Sequence, residues 1–326
     1  MMPAMDYPQR AVAVDLGGTR FRVAVGNGSG ELEWRSSQFT RVERGLQAVL
    51  KHLYETIDEA LAASGPNRAG GIAIAAPGPL DPETGVIFNP PNMPGWDRVP
   101  MKQLFEDRYG LPVQVVNDAN LAAVGEHRFG AGRGLRNIVY VTVSTGIGGG
   151  VIVNNQLLLG GRGFAGEIGH MTVDMRGERC ACGNIGCLEW LASGTSIARQ
   201  ARQRLASGIH STLERFPLQE ITAAKVAEMA YGGDTLAEGL LRGAGVALGV
   251  GMVNLAHLFN PERIILGGGV SLNAGPILWD ALQTTVRSRT MPSSRKGLDI
   301  VQAALGDDAG LLGGVALMTR AVAKAA

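Results

Sequence analysis

The chain has almost no excess of charge and few aromatic residues. Its 30 basic side chains are balanced by 29 acidic ones, and aromatic residues make up 5% of the 326 residues. A net charge of +1 excludes the strong basic field with which proteins bind nucleic acid or anionic membranes. The remaining composition, 45% hydrophobic and 18% charged, is typical of a globular protein. We therefore expect a small-molecule ligand and neither a nucleic-acid nor a membrane partner.

The sequence also lacks a long apolar run and has few cysteines. No stretch approaches the roughly 18 consecutive apolar residues that span a bilayer, and the residues before Ala11 contain no signal-peptide pattern. Both absences predict a cytoplasmic protein. The three cysteines, Cys180, Cys182 and Cys187, are odd in number and close together. In a reducing compartment such a cluster favours metal binding over disulfides.

Apolar runs of strand length alternate with helical patterns, which is typical of an α/β protein. Two segments repeat one arrangement, in which a glycine-rich turn joins two strands. The predicted strand pairs are Ala11–Val14 with Phe21–Val25, and Ile138–Val143 with Gly150–Val153. This repeat predicts a duplicated fold of two domains. We expect them to cover residues 1–118 and 119–308, with a last helix over residues 309–326 that folds back onto the first domain.

Other elements follow from the same patterns. Further strands are predicted at Ile72–Ala75, Val113–Val116 and Ile264–Leu266. A long helix is predicted over Thr235–Phe259. Because glycine inside a helix costs about 0.5–1 kcal/mol, we expect four glycines of this helix to permit close packing. They are Gly243, Gly245, Gly249 and Gly251.

Three glycine-rich sites are candidates for nucleotide binding. Their glycines let backbone N–H groups approach a phosphate, Thr19 adds a hydroxyl, and Asp15 can hold Mg²⁺ through water. An ordinary hairpin turn is the alternative for the first site, and neither of the first two sites is a P-loop or a dinucleotide fingerprint. The third, after a buried strand, suits a base or ribose. The candidates are Asp15, Gly17, Gly18, Thr19 and Arg20; Thr145, Gly146 and Gly148; and Gly267, Gly268 and Gly269.

Asn117 and Asp118 close a strand in the middle of the chain, where α/β proteins usually place their sites. A carboxylate there can accept the proton of an attacking hydroxyl, and Asn117 offers a donor and an acceptor to neighbouring hydroxyls. The alternative is that Asp118 only caps the helix that follows. The residues alone leave both possibilities open.

The most specific feature of the sequence combines His170 with the three cysteines. One imidazole and three thiolates suit a closed, structural tetrahedral Zn²⁺ site, within a loop over residues 166–189. The alternative is a group of buried thiols beside an unrelated histidine. Glu167 and Glu189 lie on either side of the cluster in the sequence, and their acceptor-only carboxylates suit sugar hydroxyls.

In their order along the chain, these motifs resemble the ROK family of sugar kinases and sugar-responsive repressors. The matching strings are DLGGTR, the Pro77-Gly78 pair, NMPGW, NDAN, STGIGGG, GEIGH and CACGNIGCLE. The resemblance implies the duplicated actin-like (ribonuclease H-like) ATPase fold, whose two domains bind ATP and sugar in the cleft between them. It also implies Mg²⁺, a structural Zn²⁺ and a homodimer.

The resemblance further implies residue roles and an activity. It gives Asp118 as the base that accepts a proton from the 6-hydroxyl of a hexose, and His170 as both zinc ligand and sugar contact. It implies that loss of zinc weakens sugar binding before nucleotide binding. The implied sugar contacts are Gly78, Asn92, Asn117, Asp118, Glu167, His170 and Glu189.

Within the family, the motifs are most similar to those of ATP-dependent glucokinases. N-acetylmannosamine and N-acetylglucosamine kinases share these motifs and stay open as alternatives. The family's repressors carry a DNA-binding domain ahead of the first glycine turn. Only about ten residues precede Ala11, so we expect a kinase rather than a regulator.

Overall fold

The computed structural model describes residues 9–65 and 69–319. Its strands are β1 (Arg10–Leu16), β2 (Arg20–Asn27), β3 (Leu32–Phe39), β4 (Ile72–Ala76), β5 (Leu80–Asp81), β6 (Val86–Ile87), β7 (Val99–Pro100), β8 (Val113–Asn117), β9 (Ile138–Val143), β10 (Ile147–Val153), β11 (Gln156–Leu157), β12 (Arg263–Gly267) and β13 (Asp299–Gln302). Its helices are α1 (Leu46–Ala63), α2 (Met101–Tyr109), α3 (Asp118–Phe129), α4 (Leu188–Ala192), α5 (Gly194–Ala206), α6 (Ala223–Tyr231), α7 (Thr235–Phe259), α8 (Gly269–Asn273), α9 (Gly275–Arg289), α10 (Pro292–Arg295) and α11 (Ala309–Thr319).

The chain divides into two compact units. The first comprises Met1–Gly134, Leu159–Ala165 and Asp307–Ala326, and the second comprises Leu135–Leu158 and Gly166–Gly306. The boundary expected at residue 118 falls at the first residue of α3, which lies within the first unit. The helix expected over residues 309–326 corresponds to α11, which packs on α3 and β1, and residues 320–326 lie outside the described residues.

The two units contain five-stranded sheets of the same order. The first is β3-β2-β1-β4-β8 and the second is β11-β10-β9-β12-β13. In each sheet the central strand pairs antiparallel with the strand across the glycine turn, and parallel with the strand on its other side. The repeat predicted from the sequence is therefore present in the sheet topology.

Alternation along β1 explains how helices cover both faces of the first sheet. Val12 and Val14 face the core cluster that contains α1, whereas Ala13 packs with Leu311 and Val315 of α11. Successive residues of a strand point to opposite faces. The small alanines on one face let α11 lie close to the sheet, because a Cβ at Gly314 would lie 3.1 Å from the Ala13 Cβ.

The second unit is built around α7, which coincides with the helix predicted from the sequence. Gly245 and Gly249 allow α9 to pack closely, since a Cβ at either position would collide with that helix, and a Cβ at Gly251 would meet Leu188. Gly243 has nothing within 4 Å and does not serve close packing. Among the described residues α7 is long and apolar enough to cross a membrane, but 56% of its most apolar stretch is buried inside the protein. It is a core helix of this unit.

Candidate active site

The first glycine turn, residues 17–19, joins β1 to β2 and is held by contacts within the first unit. Gly17 donates its N–H to the Arg20 carbonyl at 2.9 Å. Thr40 fixes the turn from the end of β3, because its hydroxyl donates to the Gly17 carbonyl at 2.6 Å and its N–H donates to the Thr19 carbonyl at 2.9 Å. A Cβ at Gly18 would lie 2.5 Å from the backbone oxygen of Asn92. The candidate phosphate turn and one candidate sugar contact therefore touch.

Two arginines flank this turn. Arg22 lies directly opposite Asp15 in the hairpin, and both its Nε, at 3.1 Å, and its Nη2 donate to Asp15 Oδ2. Sequence reasoning missed Arg22, although two-residue alternation across the predicted hairpin is the signal that would have found it. The guanidinium of Arg20 lies 4.2 Å from the centre of the exposed Phe39 ring.

Asn117, rather than Asp118, caps α3. Its side-chain oxygen accepts the N–H groups of Ala119 at 3.0 Å and Asn120 at 3.4 Å, and its amide nitrogen lies 3.6 Å from where a Cβ of Gly78 would be. Asp118 is the exposed first residue of the helix, and its Oδ1 accepts the Ala119 N–H at 2.7 Å. The helix thus begins on a neutral cap and presents a carboxylate at its N-terminus.

The second glycine turn, residues 144–146, is shorter than its sequence suggests. Strand β10 begins at Ile147, so Gly148 is paired with Thr142 rather than looped out. A carboxylate lies beside the turn, because Glu189 Oε2 accepts the Ile147 N–H at 2.7 Å. No sequence pattern near the turn indicated this contact, which comes from α4.

A cleft of about 730 Å³ lies next to this turn in the second unit. Thr145, Thr195, Arg202, Glu228 and Gly269 are among the residues that line it. The other two glycines of the third candidate site serve packing instead. A Cβ would meet the Tyr140 hydroxyl at Gly267, and Gly268 has a φ of 88°, which favours glycine. Of these three glycines, only Gly269 lines the cleft, as Thr145 does.

His170, Cys180, Cys182 and Cys187 form a compact cluster. One ligand atom from each residue can be chosen so that all four lie within 4.8 Å of one another. The Cys182 and Cys187 sulfurs are 3.6 Å apart, and His170 Nδ1 lies 3.9 Å from the Cys180 sulfur. Zinc–sulfur bonds of about 2.3 Å in a tetrahedron place sulfurs about 3.8 Å apart. The donor set and its spacing therefore fit such an ion.

The thiols of this cluster differ in acidity. Burial raises the pKa of the Cys187 thiol to about 12, whereas the backbone N–H of Asn184 lowers the pKa of the exposed Cys182. A buried thiolate needs a cation to offset its desolvation, so metal binding here is coupled to proton release. Glu167 is exposed and precedes the short 3₁₀ helix that carries His170.

Comparison with known proteins gives consistent matches over the whole described fold. The family model described as "ROK family" matches residues 11–321. A glucokinase of Thermotoga maritima is 37% identical over 95% of this chain and 97% of its own length. A putative xylose repressor of a Caldicellulosiruptor species is 31% identical over 94% of this chain and 77% of the repressor.

Two solved structures are similar as well. A ROK hexokinase of Thermus thermophilus is 36% identical, with a TM-score of 0.81 over 94% of this chain and 96% of that one. A ROK family glucokinase of Streptomyces griseus, solved with glucose and AMPPNP, is 33% identical, with a TM-score of 0.77 over 95% of this chain and 99% of that one. Both alignments cover nearly the whole chain.

Proposed function

Because the chain belongs to the ROK family, we propose that it is a cytoplasmic kinase that transfers the γ-phosphoryl group of ATP to O6 of glucose. Membership confirms the predicted family and the duplicated actin-like ATPase fold. The observation that carries the proposal is the match to the Thermotoga glucokinase, which extends over 95% of the chain. The Streptomyces glucokinase, solved with glucose and AMPPNP, supports the same pair of substrates.

In the first unit we propose Asp118 as the general base. Its exposed carboxylate accepts the proton of the 6-hydroxyl as the oxygen attacks the γ-phosphorus, which contributes about 10²–10⁴ in rate in comparable enzymes. Gly78, Asn92 and Asn117 orient the other hydroxyls. The turn at residues 17–19 and the side chain of Arg20 bind phosphate oxygens. Phosphoryl transfer requires alignment and charge neutralisation more than covalent chemistry, and these groups provide both.

In the second unit we propose Glu167, His170 and Glu189 as further sugar contacts, since carboxylates only accept hydrogen bonds and sugar hydroxyls donate them. Thr145, Gly146 and Gly148 belong to the second phosphate-binding turn. The cleft of about 730 Å³ that Thr145 and Gly269 line is proposed to take the base and ribose.

Two metal ions complete the proposal. Asp15 would hold Mg²⁺ through water, and the ion would supply positive charge beside the transferred phosphoryl group. The four residues of the histidine–cysteine cluster would hold a structural Zn²⁺, and four protein ligands would leave no open position for catalysis. An ion bound by the thiolates would fix the backbone on both sides of the cluster, which carries Glu167 and Glu189. The homodimer stays a prediction, to be tested by light scattering.

A coupled ADP-release assay tests the proposed function. Glucose, mannose, fructose, allose, N-acetylmannosamine and N-acetylglucosamine are compared at equal concentration, and the product is identified by NMR. We expect glucose to give the highest kcat/KM and glucose 6-phosphate as product. Preference for an acetamido sugar would change the substrate and keep the mechanism. Sugar binding without any ADP release would contradict the kinase and indicate a sugar-sensing protein instead.

A further inference from the structure

Glu189 makes a contact that a sugar-binding side chain does not require. Its Oε2 accepts the N–H of Ile147 at 2.7 Å, and a Cβ added at Gly146 would lie 2.5 Å from the same oxygen. The carboxylate thus occupies the space that any larger residue at position 146 would need. A carboxylate that accepts a backbone N–H makes a strong, charge-assisted hydrogen bond. The turn at residues 144–146 and the Glu189 side chain therefore fix each other.

The segment that follows Glu189 holds the same turn at two more points. Gly194 donates its N–H to the Ser144 carbonyl at 2.7 Å, and Thr195 donates its N–H to the Thr145 carbonyl at 3.2 Å. Residues of α4 and α5 therefore bind three backbone positions in and beside the turn. Thr145 and Thr195 both line the neighbouring cleft. A shift of Glu189 would therefore move the turn and also change the lining of the cleft.

The two oxygens of Glu189 differ in their surroundings. No residue within 9–65 or 69–319 donates a hydrogen bond to Oε1, while Oε2 is committed to Ile147. The carboxylate of Glu167, the other acidic residue of the second unit that we propose as a sugar contact, makes no hydrogen bond to any described side chain or backbone group and is exposed. Of these two acidic residues, only Glu189 is hydrogen-bonded to the strand that follows the turn. Glu167 therefore serves as its matched control.

We propose that Glu189 is a positioning residue of the nucleotide site as well as a sugar contact. Oε2 sets the orientation of the turn that faces the phosphates, and Oε1 accepts a sugar hydroxyl. The inference rests on the proposed function for its sugar half. Because one carboxylate contacts both sites, any factor by which the sugar changes nucleotide affinity is the factor by which the nucleotide changes sugar affinity.

The test measures the Kd of Mg·AMPPNP by calorimetry, with and without saturating glucose. It compares the wild type with Glu189→Gln, Glu189→Met and Glu167→Gln. An amide oxygen still accepts the Ile147 N–H and a thioether does not, so without glucose we expect Glu189→Gln to keep Kd within about twofold. The Met variant should bind about tenfold more weakly. Glu167→Gln should weaken glucose binding, leave the Kd of AMPPNP unchanged, and keep the coupling once glucose is saturating.

Equal AMPPNP affinity in the Met variant and the wild type would overturn the proposal, as would equal losses in the Gln and Met variants. Where circular dichroism shows that the Met variant is unfolded, Glu189→Asp takes its place, because it keeps the charge but is too short to reach Ile147. Absence of glucose phosphorylation by the wild type would reject the proposed function. The glucose-free comparison of the Gln and Met variants would still decide the positioning role.

Discussion

The two glycine turns occupy the same place in two sheets of the same strand order, but each obtains its carboxylate differently. In the first unit the carboxylate is Asp15 of β1 itself, and Arg22 binds it from directly across the hairpin. In the second unit Glu189 of α4 provides it and accepts the Ile147 N–H at 2.7 Å. The duplicated scaffold therefore fixes where a turn lies, while the side chains beside it determine its chemistry.

This difference predicts different losses when each carboxylate is removed. The charge of Asp15 is compensated by the Arg22 guanidinium, so Asp15 can stay ionised beside phosphates and a metal ion. The charge of Glu189 is compensated by the backbone N–H of Ile147. Because that N–H belongs to the first residue after the turn, the carboxylate holds the turn in shape. The following variants test that contrast, from the largest expected effect to the smallest.

Asp15→Asn should lower kcat by about 10²–10³, because it removes the charge that we propose to hold Mg²⁺. The Mg²⁺ concentration that gives half-maximal rate should rise in this variant and stay unchanged in Glu189→Gln. Arg22→Lys keeps the positive charge and loses the paired hydrogen bonds, so its loss in kcat should be smaller. Titration of kcat against Mg²⁺ measures this, and identical profiles for Asp15→Asn and the wild type would contradict it.

Alanine in the two turns should have unequal effects. A Cβ at Gly18 meets the backbone oxygen of Asn92, whereas a Cβ at Gly146 meets the end of the Glu189 side chain, both at 2.5 Å. A side chain can turn away more easily than backbone, so Gly18→Ala should cost about 2–3 kcal/mol of stability and Gly146→Ala less than about 1.5 kcal/mol. Urea unfolding measures both, and the reverse order would show that the turns are not held as described.

Removal of zinc from the histidine–cysteine cluster should disturb the turn at residues 144–146 as well as weaken sugar binding. Cys187 directly precedes α4, whose second residue is Glu189. The resemblance alone implied that sugar binding suffers first, but the bond to Ile147 predicts parallel losses in glucose and AMPPNP affinity after chelation. Zinc should restore both affinities, with metal content followed by mass spectrometry. Loss of glucose binding alone would mean that the cluster does not act through Glu189.

The helix caps of the two units should differ in their response to acid. Asn117 caps α3, whereas Asp234 caps α7 and accepts bonds from Ala237 at 2.9 Å and from the hydroxyls of Ser211 and Thr212 at 2.8 Å. Burial alone would raise the pKa of Asp234, but these hydrogen bonds together lower it.

Because the folded-state pKa is lowered, the stabilisation from Asp234 is complete above the unfolded value of about 3.9 and is lost as pH falls through the folded value. Because Asn replaces charge-assisted hydrogen bonds with neutral ones, Asp234→Asn should lower stability by about 1 kcal/mol near neutral pH and by less near pH 3. Unfolding curves across this range measure the effect. A constant difference at all pH values would show that the carboxylate charge does not matter.

Much of the fold could be predicted because its signals are local. The long helix over Thr235–Phe259 and the central strands of both sheets follow from apolar periodicity. Strand β3 was missed because its residues are polar or half-exposed along an edge. The start of β10 was placed at Gly150 rather than Ile147, since Gly148 and Gly149 carry no side chains to reveal alternation.

In the candidate site, too, features within one segment could be predicted and contacts between distant segments could not. The histidine–cysteine cluster is contained in one short segment, so its spacing is readable from the sequence. Asn117 and Asp118 were both found, but the sequence left open whether Asp118 is a base or only a helix cap, and it did not indicate that Asn117 is the cap of α3. The contacts of Thr40 with the first turn and of Glu189 with Ile147 join distant segments. Only the folded chain places such partners together.

The most direct test of the whole account is the paired measurement of glucose affinity and turnover in Asp118→Asn. The amide keeps the size of the side chain and removes the proton acceptor, so Kd for glucose should stay within about twofold while kcat falls by about 10³. That result would establish Asp118 as the base of a glucose kinase. Near-normal turnover in this variant would contradict the mechanism.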